Sequence, residues 1–248
     1  MRKLLRKTRN IFKSILWMRL NYKKFENKLS MNFGIENLEP IKMKSWHSGN
    51  MYFKGCLERK EVFIKTAKNH LLINNEYKAL TLLKDKNNFP EVFEYNVEEK
   101  EAFIIIEFKN WHTLADVLSG TININKWQVI DIITDLQKIG EILRMYRIIH
   151  RDIRPENIMV TMKGNVQVIL IDFAFSISKE HNLNEVCGNN EIKLLKGLGE
   201  KYKPSCLKWD DAYSINYIIN ELASKFELEF ETKANLLSTD ELCYEYKL

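Results

Sequence analysis

His150-Arg151-Asp152-Ile153-Arg154-Pro155-Glu156-Asn157 decides how this chain is read, because of its spacing to a second acid. Fifteen residues beyond Asn157 that acid, Asp172, closes the apolar run Val166-Gln167-Val168-Ile169-Leu170-Ile171. An aspartate, an asparagine five positions on and an aspartate ending a strand form a set suited to phosphoryl transfer. The first can take the proton of a hydroxyl, and the other two offer oxygen ligands to Mg²⁺. Pro155 restricts Arg154 to an extended backbone, which suits a loop that must aim side chains.

Outward from this loop the pattern divides. Upstream, residues 41–44, 51–54 and 61–65 alternate as strands, with a turn at Ser48-Gly49-Asn50. A helix is expected from about His70, with Ile73, Tyr77, Leu80 and Leu83 on one face, stopped by Asn87-Asn88-Phe89-Pro90. Residues 91–97 and 102–108 read as two more strands joined by the turn Glu98-Glu99-Lys100-Glu101. Residues 113–118 form a short helix, and Asn125 with Gln128 caps a long one. The long helix is expected to turn Trp127, Ile130, Ile133, Leu136, Ile139 and Leu143 inward, with Gly140 marking a close packing contact. Beyond it a hairpin turns at Lys163-Gly164-Asn165, and helical patterning returns at 191–198 and from Asp211.

The pair of motifs resembles the catalytic loop and metal-binding motif of protein-kinase-like enzymes. The resemblance implies an α+β, bilobal fold with a small antiparallel-sheet N-lobe at residues 29–108 and a shortened, mainly helical C-lobe at 109–248. It makes Asp152 the base and Arg154 a ligand of the γ-phosphate, and it gives Asn157 and Asp172 to Mg²⁺. Lys65, ending Val62-Phe63-Ile64-Lys65, resembles the lysine that meets the phosphates of ATP, and Glu76 the glutamate that holds it. The same likeness places Gly49, in the weakly matching glycine loop, with Glu107 and Phe108 before the linker, among nucleotide-binding residues. Asp211, in Trp209-Asp210-Asp211-Ala212-Tyr213-Ser214, resembles the aspartate that ties down the catalytic-loop backbone. Two departures stand out: Ala174 replaces the glycine of D-F-G, and no A-P-E lies between Asp172 and Asp211.

Composition bounds the rest. With 45% apolar and 29% charged residues in 248, the chain has the makings of a sizeable core. Cys56, Cys187, Cys206 and Cys243 lie at no zinc-ligand or C-x-x-C spacing, so free thiols in a reducing, cytoplasmic setting are expected. The formal charge of +5 is uneven, because residues 1–28 hold ten bases and a single acid, Glu26, leaving a mildly acidic body. In that segment Leu4, Ile11, Ile15, Met18 and Tyr22 recur at helical spacing. Two readings stand open for this basic amphipathic helix: attachment to an anionic membrane surface, or packing on the body. Lys13 and Arg19 interrupt the apolar residues, so it is expected neither to span a membrane nor to be a secretory signal. No other basic patch points to nucleic acid.

The acceptor is read from the 37 residues after Asp211, too few for the helices on which protein kinases dock peptides. With the missing A-P-E, this resembles the small bacterial kinases that phosphorylate heptose or Kdo of the lipopolysaccharide core, working peripherally at the inner face of the inner membrane. A protein Ser/Thr kinase and a pseudokinase scaffold are the alternatives.

Overall fold

Residues 2–33 lack proline and glycine, and in the computed structural model Arg2–Phe33 form one helix, α1. The structure describes residues 2–41, 46, 50–98, 102–162, 165–183, 192–228, 237–239 and 242–246. Gly34, at φ +68°, ends α1 in the left-handed conformation and donates to Ser30 O at 3.0 Å. The chain then divides into two compact units, residues 1–77 with 91–109, and residues 78–90 with 110–248.

The first unit is a five-stranded antiparallel sheet in the order β1-β2-β3-β5-β4. Its strands are β1 (Glu36–Ile41), β2 (Met51–Leu57), β3 (Lys60–Ala67), β4 (Val92–Asn96) and β5 (Ala102–Glu107). β1 begins five residues before the expected 41–44, and 42–44 lie outside the described residues. Its inward residue Leu38 sets the phase, and Pro40, which has no N–H to give, is tolerated on an edge strand. The expected boundary at residue 28 falls inside α1, whose second half packs on this sheet. Phe25 and Leu29 are buried among Phe53, Val62, Ile64 and Phe103, with Trp17, Met18, Tyr22 and Phe33 against them. Burial of two such side chains contributes about 1.5–3 kcal/mol each. The Tyr22 hydroxyl donates to Leu38 O, tying helix to edge strand.

Helix α2 (His70–Leu82) crosses the division between the units. Residues 78–90 join the second unit, rather than the 29–108 lobe expected, because Asn88 clamps the catalytic hairpin. Its side chain donates to Val168 O at 3.0 Å, and its own carbonyl accepts from Leu170 N at 3.0 Å.

In the second unit, α3 (Leu114–Leu118) opens with a Thr113–Asp116 capping box and α4 (Lys126–Met145) with the Asn125–Gln128 box. α4 packs on α6 (Asp211–Lys225). A Cβ on Gly140 would collide with Leu237 and come within 3.0 Å of Ile215, so the contact read from that glycine is real. Trp127 does not turn inward; it is 77% exposed. Val129, Ile132, Ile133, Leu136 and Leu143 set the buried stripe, and Trp127 lies about half a turn from it. Strands β6 (His112–Thr113), β7 (Ile158–Thr161) and β8 (Gln167–Leu170) form a small sheet. After α5 (Ile192–Gly197), β9 (Lys208–Asp210) pairs antiparallel with β10 (Cys243–Glu245). This architecture is the α+β fold of a small antiparallel sheet and a mainly helical body. Among the described residues Cys56, Cys206 and Cys243 are free thiols, and no helix is long and apolar enough to cross a membrane.

Candidate active site

The loop after α4 is held from below. Asp211 begins α6 and is buried, and its two carboxyl oxygens accept the backbone N–H of His150 at 2.6 Å and of Arg151 at 3.2 Å. Arg151 adopts φ +69°, an unusual conformation for a bulky residue, and this bend aims both N–H groups at one carboxyl. Burial pushes Asp211 up to about 7, although the two donors act in the opposite sense. The Arg151 side chain is also buried: Nε donates to Phe175 O at 2.7 Å, and the guanidinium lies over Trp209 and Tyr244, 5.3 and 5.6 Å from their ring centres. His150 bridges the two motifs. Its Nδ1 accepts from Asp152 N at 3.3 Å, which leaves Nε2 to donate to Ile171 O at 3.1 Å.

Asp152 stands above this base with both carboxyl oxygens engaged. Oδ1 accepts from Gly199 N at 2.7 Å and Oδ2 from Asn157 Nδ2 at 2.9 Å. Arg154 Nε is 3.7 Å from Oδ2, and its Nη1 pairs with Glu200 at 2.5 Å. Arg154 is extended, φ −155° and ψ 160°, as the following proline requires, and Pro155–Asn157 form one 3₁₀ turn. Burial raises the Asp152 carboxyl to about 6; Arg154, Gly199 N–H and Asn157 hold it down, and Asp172 pushes it up.

The amide of Asn157 points both its N–H groups at Asp152, one to Oδ2 and one to the backbone carbonyl at 2.9 Å. Its oxygen is therefore the end left for a cation. Asn157 O accepts from Ile171 N at 3.0 Å, which fixes the residue before Asp172 beside it. Asp172 sits in the left-handed region, φ 69° and ψ 63°, where a non-glycine residue is held only by its surroundings. One carboxylate and one amide oxygen fit Mg²⁺, which takes few protein ligands and completes its shell with phosphates and water. Ala174 is buried in the 3₁₀ turn Phe173–Phe175 with negative φ, so this backbone makes no use of glycine's freedom there.

The first unit contributes its own pair. Lys65 on β3 and Glu76 on α2 are both buried, and Lys65 Nζ lies 2.8 Å from Glu76 Oε2. The side chain of Glu107 pairs with Lys109, while Phe108 stacks on Phe63. Their N–H groups are already engaged with Glu91 O at 2.8 Å and Glu61 O at 3.2 Å. Gly49, like the rest of the His47-Ser48-Gly49 turn, lies outside the described residues.

Sequence reasoning missed Gly199 and Glu200, which touch the two residues assigned to catalysis. Gly199 has φ +70°, and a Cβ there would stand 3.2 Å from Arg151 O. A Gly-Leu-Gly run just after a helical pattern was the available signal. Lys203 was also missed; it donates to the carbonyls of Lys196 and Leu198, holding the turn that carries Gly199.

Residues 50–236, more than half of the chain, match the family described as Protein kinase domain. The chain is 31% identical over 127 residues to the probable serine/threonine-protein kinase mkcE of Dictyostelium discoideum, covering 50% of this chain and 17% of that one. It is 28% identical over 81 residues to the probable serine/threonine-protein kinase PknB of Lactococcus lactis, 33% of this chain and 13% of the relative. Another probable serine/threonine-protein kinase of Dictyostelium discoideum is 30% identical over 177 residues, 62% of this chain and 10% of its own length. The chain thus spans less than a fifth of each of these relatives.

Proposed function

The chain belongs to the protein kinase domain family, and from that premise we propose that it transfers the γ-phosphoryl group of ATP to an alcohol, with a protein serine or threonine as acceptor. The observation that carries the reading is Asp152. It is buried and raised to about 6, and Gly199 and Asn157 orient its carboxylate. At neutral pH it is ionised and poised to accept the acceptor's proton as that oxygen bonds phosphorus and ADP leaves. Arg154, steered by Glu200, offers a guanidinium for the transferring phosphate. Lys65, held by Glu76, supplies a positive charge for the other phosphates. Asn157 and Asp172 would hold Mg²⁺, which offsets phosphate charge when bound. With their N–H groups occupied, Glu107 and Phe108 have no free backbone donor for the adenine. The names of the relatives support the protein acceptor.

A second reading gives the phosphate to a sugar hydroxyl of a membrane glycolipid, such as heptose or Kdo of the lipopolysaccharide core. The basic, outwardly apolar surface of α1 favours it.

Incubation with Mg²⁺ and γ-labelled ATP tests both, using a serine/threonine peptide library in one arm and core lipopolysaccharide in the other. Label on peptide hydroxyls, lost in Asp152→Asn, is expected. Label confined to the glycolipid moves the acceptor to the second reading. Absence of label in both arms, with no thermal shift on adding Mg-ATP, leaves a pseudokinase scaffold.

A further inference from the structure

Neither the sheet nor phosphoryl transfer accounts for the outer face of α1. At about 100° per residue, Met18, Tyr22, Phe25, Leu29 and Phe33 form the face that lies on the sheet. Phe12, Leu16 and Leu20 recur every fourth residue on the far side and are 66%, 45% and 70% exposed. Arg19, Lys23 and Lys24 are exposed on the same half of the helix. Glu26, the single acid of residues 1–28, sits at the edge of this half, 3.4 Å from the Tyr22 hydroxyl and 3.6 Å from Lys23. The helix therefore has two apolar faces, one covered by its own sheet and one held out in water between bases.

We propose that α1 docks the protein on an anionic lipid surface through Phe12, Leu16 and Leu20, while its opposite face stays on the sheet. Charge decides the occupant. A second copy would bring an equally cationic face against this one, whereas lipid phosphates answer Arg19 and Lys24 directly and share Lys23 with Glu26. A helix lying in the headgroup layer buries its apolar stripe to about 5–10 Å and leaves flanking bases at phosphate level. The stripe differs from the one that periodicity alone singles out, because Met18 and Tyr22 are engaged by the sheet. Docking is thus expected without release of the helix, and it depends on no particular phosphate acceptor.

The test is co-sedimentation of the full chain with vesicles, either phosphatidylglycerol mixed into phosphatidylcholine or phosphatidylcholine alone. The protein is expected to pellet with the anionic vesicles and to be released by high salt. The triple variant Phe12→Gln, Leu16→Gln, Leu20→Gln should bind about tenfold more weakly or worse. Charge reversal by Arg19→Glu, Lys23→Glu and Lys24→Glu should weaken binding comparably. Trp127→Gln, which removes an equally exposed aromatic from α4, should bind as wild type. Both α1 variants should keep the wild-type thermal midpoint, since none of the replaced side chains belongs to the core on the sheet. A wild-type protein that ignores anionic vesicles, or an apolar variant that pellets as well as wild type, overturns the proposal. So does a concentration-dependent dimer that the apolar variant abolishes, which would give the stripe to a second copy.

Discussion

Two buried ionisable groups hold the two halves of the candidate machinery, and they are satisfied in opposite ways. In the first unit Lys65 is answered by an opposite charge, Glu76, at 2.8 Å. In the second, the oxygens of Asp211 receive backbone donors, the N–H groups of His150 and Arg151. An ion pair joins two side chains and can be replaced as a pair. A carboxyl group bound to backbone N–H is part of the loop's conformation, and no second substitution restores it. The first arrangement positions one ammonium, while the second sets the aim of Asp152, Arg154 and Asn157 together.

Breaking the loop side should therefore have the largest functional effect. Asp152→Asn removes the proposed base, and kcat is expected to fall about 10²–10⁴-fold in steady-state kinetics, while its amide N–H₂, set against Gly199 N–H or the Asn157 amide, should cost about 1–3 kcal/mol in urea unfolding. Next comes Lys65→Met, which leaves Glu76 buried without its cation and should cost about 3–5 kcal/mol in denaturant unfolding. The double variant Lys65→Met, Glu76→Leu should recover most of that stability while staying inactive, the signature of a replaceable pair. Asp211→Asn sets an amide N–H₂ against one of the two backbone donors and should cost about 1–3 kcal/mol. No partner substitution should rescue it; one that does would make the two clusters alike.

The smallest effects lie in pH. Asp211 holds its proton in the folded state up to about 7, but its unfolded carboxyl titrates near ~3.9. Unfolding between these values releases a proton, so this contribution to stability is full below ~4 and is lost as pH rises through about 7. Asp211→Asn should flatten that slope in urea titrations across the window. For activity the proposed role of Asp152 as the base reverses the direction, because that role needs the ionised carboxylate. An acid limb in kcat/KM near 6 is expected, and Arg154→Gln should move it upward by removing the nearby positive charge. A limb that stays in place would separate Arg154 from the base.

Much of this was legible because it is local. The capping box of α4, the strand carrying Lys65 and the extended backbone that Pro155 imposes on Arg154 each arise from a few adjacent residues. Gly140 announced its contact because a glycine inside a helix is costly unless something needs the space. Trp127 went astray because a short apolar stripe can be drawn in more than one phase, and only packing on α6 selects one. β1 was misplaced because Glu36-Asn37-Leu38-Glu39-Pro40 has weak strand propensity, and edge pairing with β2 overrides it. The Gly-Leu-Gly run marked a turn, but the roles of Gly199 and Glu200 lie in contacts with residues about 46–47 positions away, which no local pattern carries.

Alone, then, the order of residue types singled out the candidate groups for phosphoryl transfer and most of the segments that become helix or strand. Those properties depend on side-chain chemistry and short-range periodicity, both carried by neighbours in the chain. Tertiary structure decided what those groups face. It turned the Asn157 amide by giving its N–H groups two acceptors, seated Asp152 under Gly199, and chose which side of α1 meets the sheet. Each outcome is a contact between distant segments, formed because a buried donor needs an acceptor and an apolar face needs a cover.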